Sequence, residues 1–388
     1  MARLDATALL CLMGFGQTFG LGAFAPLLPE IGRAEGLADW QLGLLAGSFG
    51  LARMISAIPA GVVAGRHLAL TIGAGSVLLP LGMLVLASGG PFPVLLLGRV
   101  LMGLGVTLAT VGGLTALLQD RRQRSASLRL NMFEFAAMLG VLGGLAVTAL
   151  VPEAWGWQLS YILASSPLFL VLVFLPALWR VFPAPLPGGE PDGPGLRHRA
   201  EMPVGPRRMP GVVVLMFVVG PLLALSWSAV SQFLLPLRGT REFGLDRAGV
   251  SWLLALGQLV DLVVLLPVGR AADVLGLVPV LGAIMLVLGV GTAAIGLGSF
   301  GWFVAGCIGF GVGMAGWMLP LGILRAHLPV ARLAWWMGVY RVGVDGATLL
   351  GPLASGVLGE RSAGWFVGAV GAVAAAVGAA LLGRRPFR

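Results

Sequence analysis

The 388-residue chain contains no lysine, two cysteines, three histidines and two tyrosines, and only 11% of it is charged. Each shortage removes a class of explanation. Cys11 and Cys307 both fall inside long apolar stretches, so a disulfide framework is not what organises the chain. His67, His198 and His327 belong to loops or their edges, which leaves no histidine cluster for a metal site or a mid-membrane proton relay. There is no P-loop, no membrane His/Glu cluster and no nucleophile at usable spacing from a base. The sequence therefore predicts no enzyme, no cofactor, no metal and no ATP-driven pump. All 25 basic residues are arginine and the net charge is +9. Most arginines fall in short loops, so the excess speaks of membrane topology rather than of nucleic acid.

Apolar sequence is what the chain has in quantity: 58% of residues are hydrophobic, and the mean hydropathy is +0.96. A soluble protein of this size could not bury so much apolar surface. Runs of about 20 apolar residues recur along the whole length, each long enough to cross a bilayer as a helix. The sequence predicts an all-α polytopic membrane protein, since a β-barrel would show short alternating segments instead. Twelve spans are expected, at 7–28, 41–63, 69–89, 92–118, 129–151, 158–179, 211–236, 248–268, 277–297, 300–325, 333–357 and 362–383. The first resembles a secretion signal, but Pro26 would follow the cut and further spans follow, so it reads as a transmembrane helix.

Residues 181–210 are rich in proline, glycine and charge and read as a linker between two six-helix bundles, 1–180 and 211–388. With the N-terminus placed in the cytoplasm, 17 arginines face inward, five face outward and three lie in the membrane, which sum to the 25 present. This bias puts both termini and the linker on the cytoplasmic side, and a bacterial inner membrane is the expected location. A shift of 208 residues aligns the halves without gaps from about residue 36 to 150, matching Gly36 with Gly244, Gly61 with Gly269 and Gly103 with Gly311. Parallel six-helix repeats of this kind are one transporter layout, with the binding site between the halves at the midplane.

Several motifs carry a family resemblance. "GRAADVLG" (269–276) has the form G-x-x-A-D-x-x-G, through Gly269, Ala272, Asp273 and Gly276. Its first-half copy, "GVVAGRHLAL" (61–70), keeps Gly61, Ala64 and Arg66 but has Gly65 in place of the acid. "GRVLMGLG" (98–105) has the form R-x-x-x-G-x-G. On these residues the chain resembles the major facilitator superfamily over essentially its full length. The resemblance implies a conformational latch at the loop motif, weakened on the first-half side, and a proton-coupling role for Arg99. Span 5 has Gly143-Gly144 where proton/drug antiporters of the family carry Gly-Pro.

Six charged residues fall within the spans: Arg53, Arg99, Glu134, Asp261, Arg341 and Asp345. Charges at membrane depth are expensive, so they pair or they function. At 1.5 Å per residue, Arg53 lies roughly 15 Å from the cytoplasmic end of span 2. Asp345 lies at a similar height on span 11, which the resemblance places beside span 2. Arg341 is one turn from Asp345 on the same face. The pair reads either as a static bridge or as one that breaks as the halves rock or admits an anionic substrate. Asp261 corresponds to Arg53 under the 208-residue shift, and span 8 is expected beside span 5, which carries Glu134. Either acid is a candidate proton carrier, with Arg129 an alternative partner for Glu134. Arg99 either faces the cavity or snorkels to the outer surface. The spans that line the cavity in the family offer Gln17, Thr107, Trp227, Gln232 and Trp317, with Gln258 and Tyr340 from neighbouring spans. The leading reading is a proton-coupled secondary transporter of a small organic solute, a monomer in the lipid bilayer. A non-transporting scaffold of the same fold and a lipid translocase are the alternatives.

Overall fold

The computed structural model describes residues 5–119, 126–182, 211–328 and 330–383. The 181–210 linker thus lies almost wholly outside the described residues, and the regular structure within them is all helical. Spans 1 to 5 are Ala6–Ala34, Asp39–Arg66, Leu68–Ala87, Phe92–Gln119 and Ala126–Leu150. Spans 8, 9, 11 and 12 are Arg247–Leu275, Leu277–Leu297, Val330–Leu358 and Glu360–Leu382. Among the described residues, eleven helical stretches are long and apolar enough to cross a membrane. Span 11 is also 29 residues long but is not among them, because Arg341 and Asp345 dilute its apolar run.

Three spans are interrupted where the sequence suggested continuous helices. Span 6 is three short helices, Gly156–Ala164, Pro167–Val173 and Leu175–Val181. Span 10 breaks between Phe300–Met314 and Leu319–His327. Span 7 runs Gly211–Ala229, widens into a π-helical turn at Val230–Leu234 and resumes as Leu235–Arg241. A proline stands at the first or second position after each interruption, namely Pro167, Pro176, Pro236 and Pro320. Proline lacks an N–H and clashes with the carbonyl one turn earlier, so helices restart at it.

The repeat is visible in the backbone. Gly36 and Gly244, matched by the 208-residue shift, both take φ +64 in the turns after spans 1 and 7. Gly156 and Gly359 open spans 6 and 12 with φ near +75, in nearly identical conformations. A side chain is strained at such angles, whereas glycine is not.

Helix packing follows the same plan. Span 3 packs on span 4, span 1 on span 5, and span 2 on span 4; in the second half span 9 packs on spans 10 and 12, and span 7 on span 11. Two seams cross between the halves, span 2 against span 11 and span 5 against span 8. Along the first seam glycines bring backbones together. Gly43 lies against the Pro352 carbonyl, Gly47 against that of Leu349, Gly50 against Asp345 and Leu349, and Gly356 against Asp39. Such contacts replace hydrophobic drive within a membrane. Past Arg53 the helices part: Ile55, Ile58 and Val62 are exposed, and none of the described residues lies near Gly61, Gly65 or Gly338. The bundle is joined at one end and open at the other.

Candidate functional site

The last contact of the span 2–span 11 seam is a buried ionic cluster. Asp345 is 1% exposed, and Arg53 Nη2 stands 3.1 Å from its Oδ1 as an ion pair. Arg341, one turn earlier on the same helix, donates from Nε to Oδ2 at 3.0 Å. One carboxylate is thus shared by two arginines, one from each half. Arg53 also lies over the Phe49 ring, 5.6 Å from its centroid.

Phe49 faces a third arginine. The Arg99 guanidinium stacks 3.6 Å from the Phe24 centroid and 5.1 Å from that of Phe49. Arg99 is 1% exposed, which corrects the snorkelling alternative. Its neighbouring polar group is the Tyr161 hydroxyl, which donates to the Gly20 carbonyl. Among the described residues Arg99 Nε and Nη1 have no hydrogen-bond partner. The cation is held by aromatic faces, whose quadrupoles attract it.

Across the cleft, a recess lies between spans 1, 5, 7, 8 and 10. Trp227, Ser231 and Gln232 of span 7 line it, with Gln258 and Asp261 of span 8 and Cys307, Phe310 and Met314 of span 10. The π turn of span 7 is what carries Ser231 and Gln232 here; such turns recur at functional sites. Asp261 is 7% exposed. Its Oδ2 accepts a long 3.4 Å bond from Gln258 Nε2, and among the described residues its Oδ1 has no partner. Glu134 of span 5 is half-buried within electrostatic reach of Asp261 on one side and of Arg341 and Arg53 on the other. Glu134 thus links Asp261 electrostatically to Arg53 and Arg341.

The other residues singled out in the sequence lie elsewhere. Gln17 donates to Ser76 Oγ at 3.0 Å and ties span 1 to span 3. Thr107 is buried and returns its hydroxyl to the Gly103 carbonyl. Tyr340 packs on Gly220 and edge-on to Phe217 within the second half. Trp317 rests on the apolar core beside the break in span 10. The loop-motif residues Gly61, Arg66, Gly269 and Asp273 are exposed at the open end, and Gly276 ends span 8 at φ +93.

A second set of residues was not singled out from the sequence. At the joined end, Arg247 of span 8 is only 3% exposed. It donates to both oxygens of Glu30, at 2.6 Å from Nε and 2.5 Å from Nη2. Its Nη1 donates to Ser160 Oγ at 2.6 Å, and its backbone N–H to Glu153 Oε1 at 2.7 Å. Arg241 pairs with Asp39 at 2.9 Å beside it. Their signal in the sequence was acid and arginine at facing helix ends, a common pattern that carries no partner assignment by itself.

The Major Facilitator Superfamily profile matches residues 10–239 and again 212–388. The chain belongs to that superfamily. The facilitated glucose transporter member 10 of solute carrier family 2 from Mus musculus is 30% identical over 218 residues, covering 50% of this chain and 39% of that protein. The galactose-proton symporter of Escherichia coli K12 is 30% identical over 177 residues, 44% of this chain and 38% of the symporter. The matched stretches thus span about two fifths of either relative. A peptide transporter POT mutant crystallised with sulfate superposes with TM-score 0.77 at 16% identity, over 97% of this chain and 93% of that one. The nucleoside transporter NupG superposes with TM-score 0.73 at 12% identity, over 98% and 100%. At such identity the likeness establishes a common fold, and superfamily membership makes the chain an integral membrane protein of a transporter family.

Proposed function

We propose that this superfamily member is a proton-coupled secondary transporter of a small organic solute in a bacterial inner membrane. Its halves, 1–180 and 211–388, rock about the two seams, with the 181–210 linker and both termini cytoplasmic. Asp261 carries the reading. It is a carboxyl group at mid-span, nearly buried, with one oxygen unpartnered among the described residues, in the wall of a recess between the halves. An ionisable group at membrane depth marks an ion or proton path by default. Gln258, its hydrogen-bond partner among the described residues, holds one oxygen and leaves the other to exchange a proton with whichever side the cleft opens to. The open end is the cytoplasmic one, so this conformation takes up or releases its solute inside.

The test uses purified protein in proteoliposomes with an internal pH dye. Galactose, lactate and a hydrophobic phosphonium cation are added outside in turn. Solute-evoked proton movement that is lost in Asp261→Asn, while solute exchange across the membrane persists, supports the reading. Proton movement that survives Asp261→Asn, or solute flux with no proton movement, rules out Asp261 as the coupling group.

A further inference from the structure

The ion cluster at the end of the span 2–span 11 seam leaves one cation half spent. Arg341 uses only Nε to hold Asp345. Its side chain is 44% exposed, whereas that of the Asp345 it touches is 1% exposed. This exposure is toward the cleft, not the lipid. Asp345, four residues on and on the same face, points at Arg53 of span 2. Arg341 is also within electrostatic reach of Glu134, whose helix packs on spans 1 and 8 at the other side of the first half. A side chain turned to lipid could not reach both. The helices separate just past this point, since none of the described residues lies near Gly338, one turn before Arg341 on its own helix. The guanidinium therefore stands at the inner limit of the opening, and among the described residues its Nη edge holds no hydrogen-bond partner.

We infer that Arg341 is a binding residue for the anionic group of the solute, and that the transported class is organic carboxylates. This rests on the proposed transport function. A guanidinium fixed at Nε presents its two Nη groups in a plane, and that fork matches a carboxylate with two parallel hydrogen bonds. Asp345 orients the fork, so little side-chain entropy remains to be lost on binding. Arg53 and Arg341 share one carboxylate in direct contact, Asp345, and Glu134 stands within electrostatic reach of both without an ion-pair contact among the described residues. A charged Glu134 offsets the second arginine at a distance, so recognition of an incoming carboxylate rests on direct contact with the Nη edge of Arg341 rather than on net charge. Glu134 then sets a second condition, because it repels a second negative group placed near it. Monocarboxylates and zwitterions, whose ammonium would face Glu134, should bind better than dicarboxylates.

Thermal unfolding of the detergent-solubilised protein, followed by tryptophan fluorescence, tests this with matched probes. Lactate is compared with lactamide, alanine with alaninamide, and gluconate with galactose. The expected result is a saturable rise in midpoint with the acid of each pair and none with its neutral or cationic partner. In Arg341→Gln the apparent affinity should fall about tenfold or more, the cost of a charge-assisted hydrogen bond. Arg341→Lys should retain part of it, and Arg325→Gln, at an exposed helix end, should leave it unchanged. Stabilisation by galactose or the amides but not by the acids would overturn the inference. So would an acid-induced rise that survives Arg341→Gln, or no rise with any acid in protein that unfolds cooperatively. If Asp261-dependent proton movement occurs with galactose alone, the transport reading stands and this inference falls. If acids bind through Arg341 and no flux is found, the inference stands and the transport reading falls.

Discussion

At the scale of residues, the membrane-embedded charges differ in how they are satisfied. Asp345 has two cations, Asp261 has one amide, and Arg99 has aromatic faces. Burying an ion costs several kcal/mol, and the cost is recovered only with good geometry around it. Removing one partner is therefore the sensitive test. Arg53→Ala should lower stability by about 3 kcal/mol, the lower end for a broken buried pair, since Arg341 still holds Oδ2. Adding Asp345→Asn to Arg53→Ala should cost less than Asp345→Asn costs alone. Unfolding midpoints of the two single variants and the double variant check this, and strictly additive losses would mean that Arg53 and Asp345 do not interact. The height of each charge was legible in the sequence, because rise per residue and span ends fix it. The rotation of each helix about its axis was not. Arg53 and Asp345 could be matched by height and expected neighbours, whereas the Phe24 and Phe49 rings around Arg99 depend on how three helices turn toward one another.

At the scale of elements, the seams depend on glycine. A Cβ built on Gly47 would stand 2.5 Å from the Leu349 carbonyl oxygen. That is backbone within a helix, and it cannot yield as a flexible side chain would. Gly47→Val should wedge span 2 from span 11, destabilise this conformation and raise the accessibility of the joined end. Gly61→Val, where nothing lies within 4 Å, should have no such effect. A cysteine placed at Ala38 on the exposed turn before span 2, in a background with Cys11 and Cys307 replaced by alanine, reports the difference. Its modification rate by a membrane-impermeant maleimide should rise with Gly47→Val and stay unchanged with Gly61→Val. The matched glycines of the two repeats were visible in sequence, and the span boundaries fell within a few residues for most helices. The interruptions in spans 6, 7 and 10 were missed, because hydropathy registers an apolar run whether or not its hydrogen-bond ladder is continuous. Pro167, Pro176, Pro236 and Pro320 were the available signal. Proline alone could not decide it: Pro26 and Pro29 sit inside an unbroken span 1.

At the scale of the whole molecule, the conformation is held by unequal contacts at its two ends. The open end offers the loop-motif residues Gly61, Arg66, Gly269 and Asp273, all exposed. The joined end offers Arg247, inserted from the second half among Glu30, Glu153 and Ser160 of the first, with Arg241 on Asp39 beside it. These contacts exist only while the joined end is shut, so they bias the equilibrium between the two openings by their full worth. Charge-assisted hydrogen bonds contribute roughly 1.5–3 kcal/mol each, and 1.4 kcal/mol is a tenfold change in population. Glu30→Gln keeps the shape and removes the charge, and should shift the balance toward the opposite opening by about tenfold. Glu30→Gln with Glu153→Gln should shift it further, while Asp39→Asn, on a pair exposed by about a third on each side, should do much less. Spin labels on cysteines introduced at Ala38 and Ser299, in the same cysteine-free background, measure this as a second, longer distance between the halves. The order of effects is the decisive feature. A larger shift from Asp39→Asn than from Glu30→Gln would move the main latch from the buried arginine to the exposed one. No shift from either would place the bias in the glycine seams instead.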